Sequence, residues 1–364
     1  MDDRARRHAE ILVEDCTDVQ PGDMVLLRAS KEAEDLVVAL YEKLGEVGAR
    51  PTTQWGHARA ARAYNRAMDV DDYETKAHDL AAMEETDVVF LIGGNGNAFE
   101  TSDVPPEKSQ AASRANGPIL EERLGKRWVI TQHPTDAGAQ KAEMSTEAYE
   151  DFVYDAINKD WDEQREFQAQ MVEILDPADE VRIVSGDTTD VTMSVAGMDA
   201  ANDWGTKNMP AGEVFTCPVP NSVDGEVLFD KPLIRQGKEI TDAWLRFEDG
   251  EVVDFAAGQN EAALEGILET DEGSRRLGEL GIGMNRDIDR FTYNMLFDEK
   301  MGDTVHMAVG GAIAECVPDD QPFNESATHV DLIVDMSEDS YIEVDGEVVQ
   351  RDGTFRFEDG FEDQ

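Results

Sequence analysis

Cysteine is scarce in this sequence. The three cysteines, Cys16, Cys217 and Cys316, are far apart, and no two of them have the C-x-x-C spacing of a zinc knuckle. An odd number of widely spaced cysteines also argues against a disulfide framework. The fold must therefore rest on a hydrophobic core. A chain of 364 residues with 40% hydrophobic content is long enough to form one, in one large domain or two.

Long hydrophobic runs are missing as well. The longest apolar stretch, His306–Val317, is about twelve residues long and contains both Glu and His. Such a stretch is too short and too polar to cross a membrane. The segment Met1–Arg7 leads into a helical pattern rather than into the apolar centre of a signal peptide. We therefore expect a cytoplasmic protein.

Basic residues are greatly outnumbered by acids. Lys and Arg total 32 against 80 Asp and Glu, which gives a formal net charge of −48. The acids are spread along the whole chain, and this disfavours nucleic acid and anionic membranes as partners because their phosphates would be repelled. Such a composition is typical of a cytosolic protein from a high-salt organism, where a Debye length of about 3 Å at 1 M salt makes self-repulsion tolerable. With acids this frequent, a carboxylate alone is weak evidence of a functional site.

The N-terminal half alternates strand and helix patterns. The residues Glu32–Val47 predict an amphipathic helix with Leu36, Leu40 and Leu44 on one face, and Gly48 ends it. Short apolar strands are predicted at Met24–Arg28, Pro51–Trp55, Asp87–Ile92 and Arg127–Thr131. This β-α-β alternation predicts a parallel sheet covered by helices.

The composition changes near residues 175–185, where strand patterns begin to dominate. Ser145–Val172 predicts a long helix before this change, and Glu261–Leu280 predicts a single helix after it. Four Asp-Gly pairs predict hairpin turns. These pairs are Asp224-Gly225, Asp249-Gly250, Asp345-Gly346 and Asp352-Gly353. We therefore predict an α/β N-terminal domain at residues 1–180 and a strand-rich α+β C-terminal domain at residues 181–364.

Two of the six histidines lie among acids and glycines in the C-terminal half. His329 and Asp331 are two residues apart in a strand pattern, so both side chains would point to the same face. Glu299 and His306 flank a predicted turn at Met301–Asp303 and could face each other across a hairpin. Imidazoles and carboxylates are the ligands that a pair of divalent cations needs. A surface His-Asp pair and a core histidine are the alternative interpretations of the same residues.

Two further acids, Glu213 and Glu279, lie beside glycines at a predicted strand start and a predicted helix end. A surface or ion-paired acid is the default interpretation of each. All of these residues fall in five phrases of the sequence. The phrases are Asn208–Thr216, Asp271–Glu279, Leu296–Lys300, Val305–Gly310 and Asn324–Asp331. In order and spacing they resemble the aminopeptidase T family of metallopeptidases, the thermophilic type of leucyl aminopeptidase.

The resemblance implies a two-metal exopeptidase site in the C-terminal domain. Carried over residue by residue, the family's ligand positions fall on Glu213, Glu279, Glu299, His306, His329 and Asp331. Two ions in such a site activate a water and polarise the scissile carbonyl, and one of them binds the free α-amine of a peptide. Glu279 is interpreted as the catalytic carboxylate that bridges the ions. The metals could be Zn, Co, Mn or Mg, and a homodimer is implied because family members form dimers.

One position departs from the family pattern. Many members carry a tyrosine seven residues after the first ligand histidine, where this chain has Ile313. Tyr293 is a candidate catalytic substitute, with a packing role as the alternative. A non-catalytic or different-substrate member that binds metal or small ligands is therefore the alternative function. A nucleotide-binding enzyme is a further alternative. Glycines follow a strand in Leu91–Asn97, and glycines in this position can bind phosphate. The segment lacks, however, the G-x-G-x-x-G spacing of a dinucleotide-binding loop.

Overall fold

A computed structural model gives the structure of residues 2–94, 96–97, 99–235 and 238–362. Asn95, in the glycine-containing segment after the third strand, lies outside the described residues. The α-helices are α1 Asp3–Glu10, α2 Glu34–Val47, α3 Ala58–Ala67, α4 Ala77–Glu84, α5 Pro106–Leu124, α6 Asp136–Lys141, α7 Thr146–Ile157, α8 Trp161–Leu175, α9 Glu261–Leu268 and α10 Met295–Asp298.

The strands are β1 Met24–Ser30, β2 Arg50–Gly56, β3 Val88–Gly93, β4 Arg127–Gln132, β5 Glu180–Ser185, β6 Thr189–Ser194, β7 Ala201–Asp203, β8 Asn208–Met209, β9 Glu213–Thr216, β10 Asp224–Phe229, β11 Leu233–Arg235, β12 Lys238–Ile240, β13 Ala243–Glu248, β14 Glu251–Ala256, β15 Leu277–Gly283, β16 Thr304–Gly310, β17 His329–Asp335, β18 Ser340–Val344, β19 Glu347–Arg351 and β20 Thr354–Phe355. None of the helices in the described part of the chain is both long and apolar enough to cross a bilayer.

The first compact unit comprises Met1–Lys159 and Gly205–Pro210. Its sheet has the order β2-β1-β3-β4-β8, and every pairing is parallel. The central strands are near-continuous apolar runs, as a parallel sheet covered on both faces requires. Helix α2 buries Leu36, Leu40 and Leu44 and ends at Gly48, whose φ of 86° is the left-handed conformation that glycine adopts without strain. The predicted α/β class of the N-terminal half is confirmed.

The second compact unit comprises Asp160–Trp204 and Ala211–Gln364. An eight-stranded antiparallel sheet has the order β14-β13-β10-β6-β5-β18-β19-β20, and a five-stranded sheet has the order β17-β16-β15-β9-β7. Residues of both sheets and of α8 and α9 share one hydrophobic core. The predicted strand-rich class of the C-terminal half is confirmed. The structure groups α8 with this unit, whereas the boundary predicted from the sequence lies after it, at residues 180 and 181.

Two predicted helices are wrong in extent. The segment Ser145–Val172 is divided between α7 and α8, because the side chain of Asp160 accepts hydrogen bonds from the backbone at Asp162 and Glu163 and starts a new helix. The helix predicted at Glu261–Leu280 ends at Leu268. The end of that segment is instead β15, and Glu279 lies on this strand.

Three of the four predicted Asp-Gly turns have left-handed conformations at both residues, as a type I′ hairpin turn requires. In Asp249-Gly250, for example, φ is 50° and 80°. The prediction is wrong for Asp224-Gly225, which lies inside β10. Gly225 is needed there for a close approach, since a Cβ would meet the Asp190 carbonyl oxygen at 2.1 Å.

Candidate metal centre

Four neighbouring strands of the five-stranded sheet carry five of the six predicted ligands. In the register of β15, β16 and β17, both Glu279 and Asp331 lie opposite Ala308, so the two acids flank one position of the central strand. His306 lies opposite Gly281, and Glu213 of β9 lies opposite Gly283 of β15. The antiparallel pairing thus brings together residues that are far apart in sequence.

Gly281 makes room for the imidazole of His306. A Cβ built on Gly281 would lie 2.0 Å from His306 Nε2, closer than any real contact. The ring therefore lies over the backbone of the neighbouring strand, and only glycine permits this position. The consequence is that Nε2 of His306 is held close to carboxylates of β9 and β15.

The distances within the cluster are those of direct contact. His306 Nε2 lies 3.3 Å from Glu213 Oε2 and 3.6 Å from Glu279 Oε1. His329 Nε2 lies 2.9 Å from Glu279 Oε2 and 3.2 Å from Asp331 Oδ1. One ligand atom each from Glu279, His306 and Asp331 lie within 4.8 Å of one another, a spacing suited to a single cation.

The cluster is closed on one side and open on the other. Glu213, Glu279 and His306 are buried, whereas the side chains of His329 and Asp331 are 31% and 19% exposed. A small molecule can therefore approach the cluster from the side of His329 and Asp331. The buried side excludes water, which strengthens every electrostatic interaction there.

Glu299 and Lys300 complete the buried side. Glu299 follows α10, and the ammonium group of Lys300 contacts both Glu299 and Glu213, with Nζ 3.0 Å from Glu213 Oε1. Burial lowers the pKa of Lys300, but the Glu213 and Glu299 carboxylates outweigh this effect and raise it above its ordinary value. All six predicted ligands are thus linked by direct contacts, either with one another or through Lys300.

Sequence reasoning missed Lys300. Its signals in the sequence were its place beside Glu299 in the Phe-Asp-Glu-Lys phrase and the scarcity of lysine in this chain. Gln168 of α8 was also missed. Its amide donates to the Glu213 carbonyl oxygen at 2.9 Å and so fixes the backbone of a predicted ligand.

Burial and charge act against each other at the acids and histidines. Burial raises the pKa of Glu213 to about 8. Burial is the largest single influence on Glu279 and acts to raise its pKa, but the adjacent His306 and His329 imidazoles together outweigh it and lower the pKa to about 2. Burial acts to lower the pKa of both histidines. The neighbouring carboxylates outweigh it and raise the pKa of His306 to about 9 and that of His329 to about 11. A metal ion would compete with protons for these nitrogen atoms.

The donor set fits divalent cations. His329 Nδ1 donates to the Gly311 carbonyl oxygen at 2.8 Å, so its Nε2 faces the carboxylates, the arrangement of a metal-binding histidine. Among the described residues, Glu213 Oε2 and His306 Nδ1 are buried polar atoms that form no hydrogen bond. Glu213 Oε2 thus has lone pairs directed into the cluster, and a cation would satisfy them.

Tyr293 and Ile313 lie on segments outside these strands. Tyr293 has a φ of 59° in the segment between β15 and α10, and its ring lies edge-on to Phe291 at 4.9 Å. The Ile313 carbonyl oxygen accepts a hydrogen bond from the Cys217 thiol at 3.5 Å, beside the similarly buried Cys316. A catalytic role for Tyr293 stays a prediction.

The chain belongs to the thermophilic metalloprotease (M29) family, whose model matches residues 1–359. It is 30% identical to aminopeptidase T of Thermus aquaticus over 95% of this chain and 94% of that protein. It is 27% identical to aminopeptidase 2 of Geobacillus stearothermophilus over 97% of both. The predicted family is therefore confirmed, and with it a metallopeptidase that requires a divalent metal.

Solved structures show the same fold. AmpT from Thermus thermophilus has a TM-score of 0.87 at 24% identity and covers 97% of this chain and 99% of its own. The 2,5-dihydroxypyridine dioxygenase of Pseudomonas putida KT2440 has a TM-score of 0.61 at 15% identity, with 98% and 97% covered. Both likenesses concern architecture alone, so the function must be argued from the cluster itself.

Proposed function

We propose that the protein is a metal-dependent aminopeptidase, and that the six predicted ligands bind two divalent ions. The ligands are Glu213, Glu279, Glu299, His306, His329 and Asp331. The observation that carries the proposal is the central position of Glu279, one carboxylate oxygen of which faces His306 while the other faces His329. A carboxylate placed in this way can offer one oxygen to each of two ions.

Bound divalent ions would supply an activated water and a Lewis acid for the scissile carbonyl. The chain's own residues position the reactants. Glu279 lies between the two imidazoles, and Glu213 and Glu299 close the buried side. His329 and Asp331 lie at the open side, where the substrate must enter.

The two-ion site favours a peptide with a free N-terminus. A neutral α-amine has a lone pair that an ion in the cluster could bind, and the open side of the cluster, at His329 and Asp331, would admit that end of the peptide. The relatives are aminopeptidases by name, which agrees with removal of residues from the N-terminus.

Zn, Co, Mn and Mg all suit oxygen-rich ligands with two imidazoles. We also propose a cytoplasmic homodimer adapted to high salt.

Glu279→Gln tests the central carboxylate. The amide removes a negative charge while keeping the shape, so we expect hydrolysis of an aminoacyl anilide to fall by more than about 100-fold and the metal content per chain to fall below that of the wild type. Elemental analysis and kcat/KM in high salt measure both. Glu226→Gln, at an exposed acid of the same unit, is the matched control. Full activity in Glu279→Gln would contradict the proposal, and two ions without activity on any peptide in the wild type would favour a non-catalytic role.

A further inference from the structure

Lys300 is a fully buried lysine in the acidic part of the cluster. Its side chain has no exposed surface, and its ammonium group lies between the carboxylates of Glu213 and Glu299. Lysine is almost never buried without a partner, and here both partners are predicted metal ligands. A fixed positive charge therefore lies where the proposed function needs a cation.

The backbone holds Lys300 and Glu213 through one shared residue. The backbone N–H of Asn285 donates to the Lys300 carbonyl oxygen at 3.0 Å. The side-chain amide of Asn285 donates to the carbonyl oxygen of Ala211 at 2.9 Å, two residues before Glu213. The contact between Lys300 and Glu213 is thus a product of the fold rather than of a flexible side chain.

The cluster consequently has two unequal halves. In one half, His329 Nε2 lies 2.9 Å from Glu279 Oε2 and 3.2 Å from Asp331 Oδ1. In the other half, Glu213 and Glu299 each direct one oxygen to Lys300, and the second oxygen of Glu213 is turned toward His306. The first half offers its ligands to a cation, whereas the second already shares its charge with an ammonium group.

We propose that Lys300 is a positioning residue that makes the two metal sites unequal. It weakens the binding of the ion on the Glu213 and Glu299 side of Glu279 relative to the ion on the His329 and Asp331 side. The proposal rests on the proposed two-ion function. The ammonium group repels a nearby dication and neutralises part of the charge that would attract it. It also holds Glu213 Oε1, which leaves only Oε2 for an ion.

The test is a titration of metal-free, full-length protein with Zn²⁺ in high salt, followed by calorimetry and by competition with a chelating dye. We expect the wild type to bind two ions with different dissociation constants. In Lys300→Met we expect the weaker constant to fall at least tenfold, while the tighter one changes less than threefold. Lys300→Arg keeps the charge and should keep the wild-type difference.

Two further variants separate charge from folding. Lys300→Gln is neutral and keeps an N–H donor for the carboxylates. We therefore expect the same tightening of the weaker site in this variant, which serves if Lys300→Met does not fold without metal. Lys231→Met is the matched control, since Lys231 Nζ lies 2.6 Å from Asp335 Oδ2 in the same unit, and both constants should stay at wild-type values. Circular dichroism checks the fold of each metal-free variant.

The outcomes distinguish the two proposals. If the wild type binds two ions and both neutral variants leave the two constants unchanged, Lys300 does not control the inequality and the inference is overturned. If the wild type binds fewer than two Zn²⁺ ions at any concentration, the two-ion function itself is wrong. Tightening of the weaker site in the neutral variants but not in Lys300→Arg would support the inference.

Discussion

His8 in the first unit and His306 in the second are both buried histidines, with 0% and 1% of their surface exposed. Burial lowers the pKa of His8 to about 3, whereas the pKa of His306 is raised to about 9. His8 Nε2 lies 2.7 Å from the Thr131 hydroxyl oxygen. That hydroxyl donates its proton to the Met209 carbonyl oxygen, so it accepts from His8 and fixes a neutral imidazole.

His306 differs from His8 in its neighbours. Glu213 and Glu279 face its Nε2. These carboxylates stabilise a positive charge on His306, although His306 is as deeply buried as His8. A buried histidine in this protein is therefore a structural group in one unit and a candidate ligand in the other, and the adjacent acids decide which. Four experiments test this comparison.

The largest effect is expected from replacing each histidine by glutamine. His306→Gln removes a proposed ligand, so kcat/KM on an aminoacyl anilide should fall by more than about 100-fold together with the metal content. His8→Gln should keep the metal content and stay within about threefold of wild-type activity. Loss of metal from the His8→Gln variant would contradict a purely structural role for His8. Full retention of metal in the His306→Gln variant would contradict the role of His306 as a ligand.

Gly281→Ala should displace the His306 ring without changing any ligand. The added methyl group would meet Nε2 at 2.0 Å, so we expect a loss of about 1–3 kcal/mol in the free energy of unfolding and weaker Zn²⁺ binding. Urea denaturation and metal titration measure the two effects. Gly266→Ala in α9 is the control, because nothing lies within 4 Å of a Cβ there, and it should stabilise by up to about 1 kcal/mol.

Acidification should destabilise the protein through His8. Its pKa is about 3 when folded against about 6.5 when unfolded, so the unfolded chain binds the proton first. Its contribution is complete above about pH 6.5 and is lost as the pH falls toward 3, by about 2 kcal/mol at pH 5. Urea titrations at pH 7 and pH 5 measure this loss of unfolding free energy. The His8→Gln variant should lose less unfolding free energy between these two pH values than the wild type does. An equal loss in both proteins would show that His8 does not cause it.

The smallest effect is expected at the hydrogen-bond partner of His8. Thr131→Val removes the hydroxyl that accepts from His8 and should cost about 1 kcal/mol in the free energy of unfolding. Activity and metal content should not change, because His8 and Met209, the hydrogen-bond partners of the Thr131 hydroxyl, both belong to the first unit. A change in metal binding would mean that the two histidines are not independent.

Much of the fold could be predicted from local patterns. The alternation of apolar strands and amphipathic helices predicts the parallel sheet of the first unit, since each element there shows its own period. The His329-Val330-Asp331 pattern likewise predicts a strand, and His329 and Asp331 do contact each other on β17. Local periodicity is sufficient to predict a helix or strand where one face of the element is buried and the other is exposed.

The wrong and missing predictions from the sequence have physical causes. Every residue of β15 is buried. The strand therefore lacks the alternation that marks a half-exposed strand, and its sequence predicts a helix that ends at Leu280 and includes Glu279. Lys300 was missed because its burial depends on Glu213, which is distant in sequence and reaches it only through the fold. Spacing alone suggests His329 with Asp331 and Glu299 with His306, whereas Glu213 and Glu279 are candidate ligands only through the family resemblance, because 80 acids in one chain conceal any local pattern.

Gly281 has a consequence for attempts to rebuild this cluster in another protein. A designer who copies the acids and histidines onto a new sheet would copy everything that could coordinate an ion and still leave out the space that the His306 ring occupies. In that sense the cluster includes a position defined by the absence of a side chain. A transplanted site should therefore carry the glycine opposite its histidine as an obligatory component.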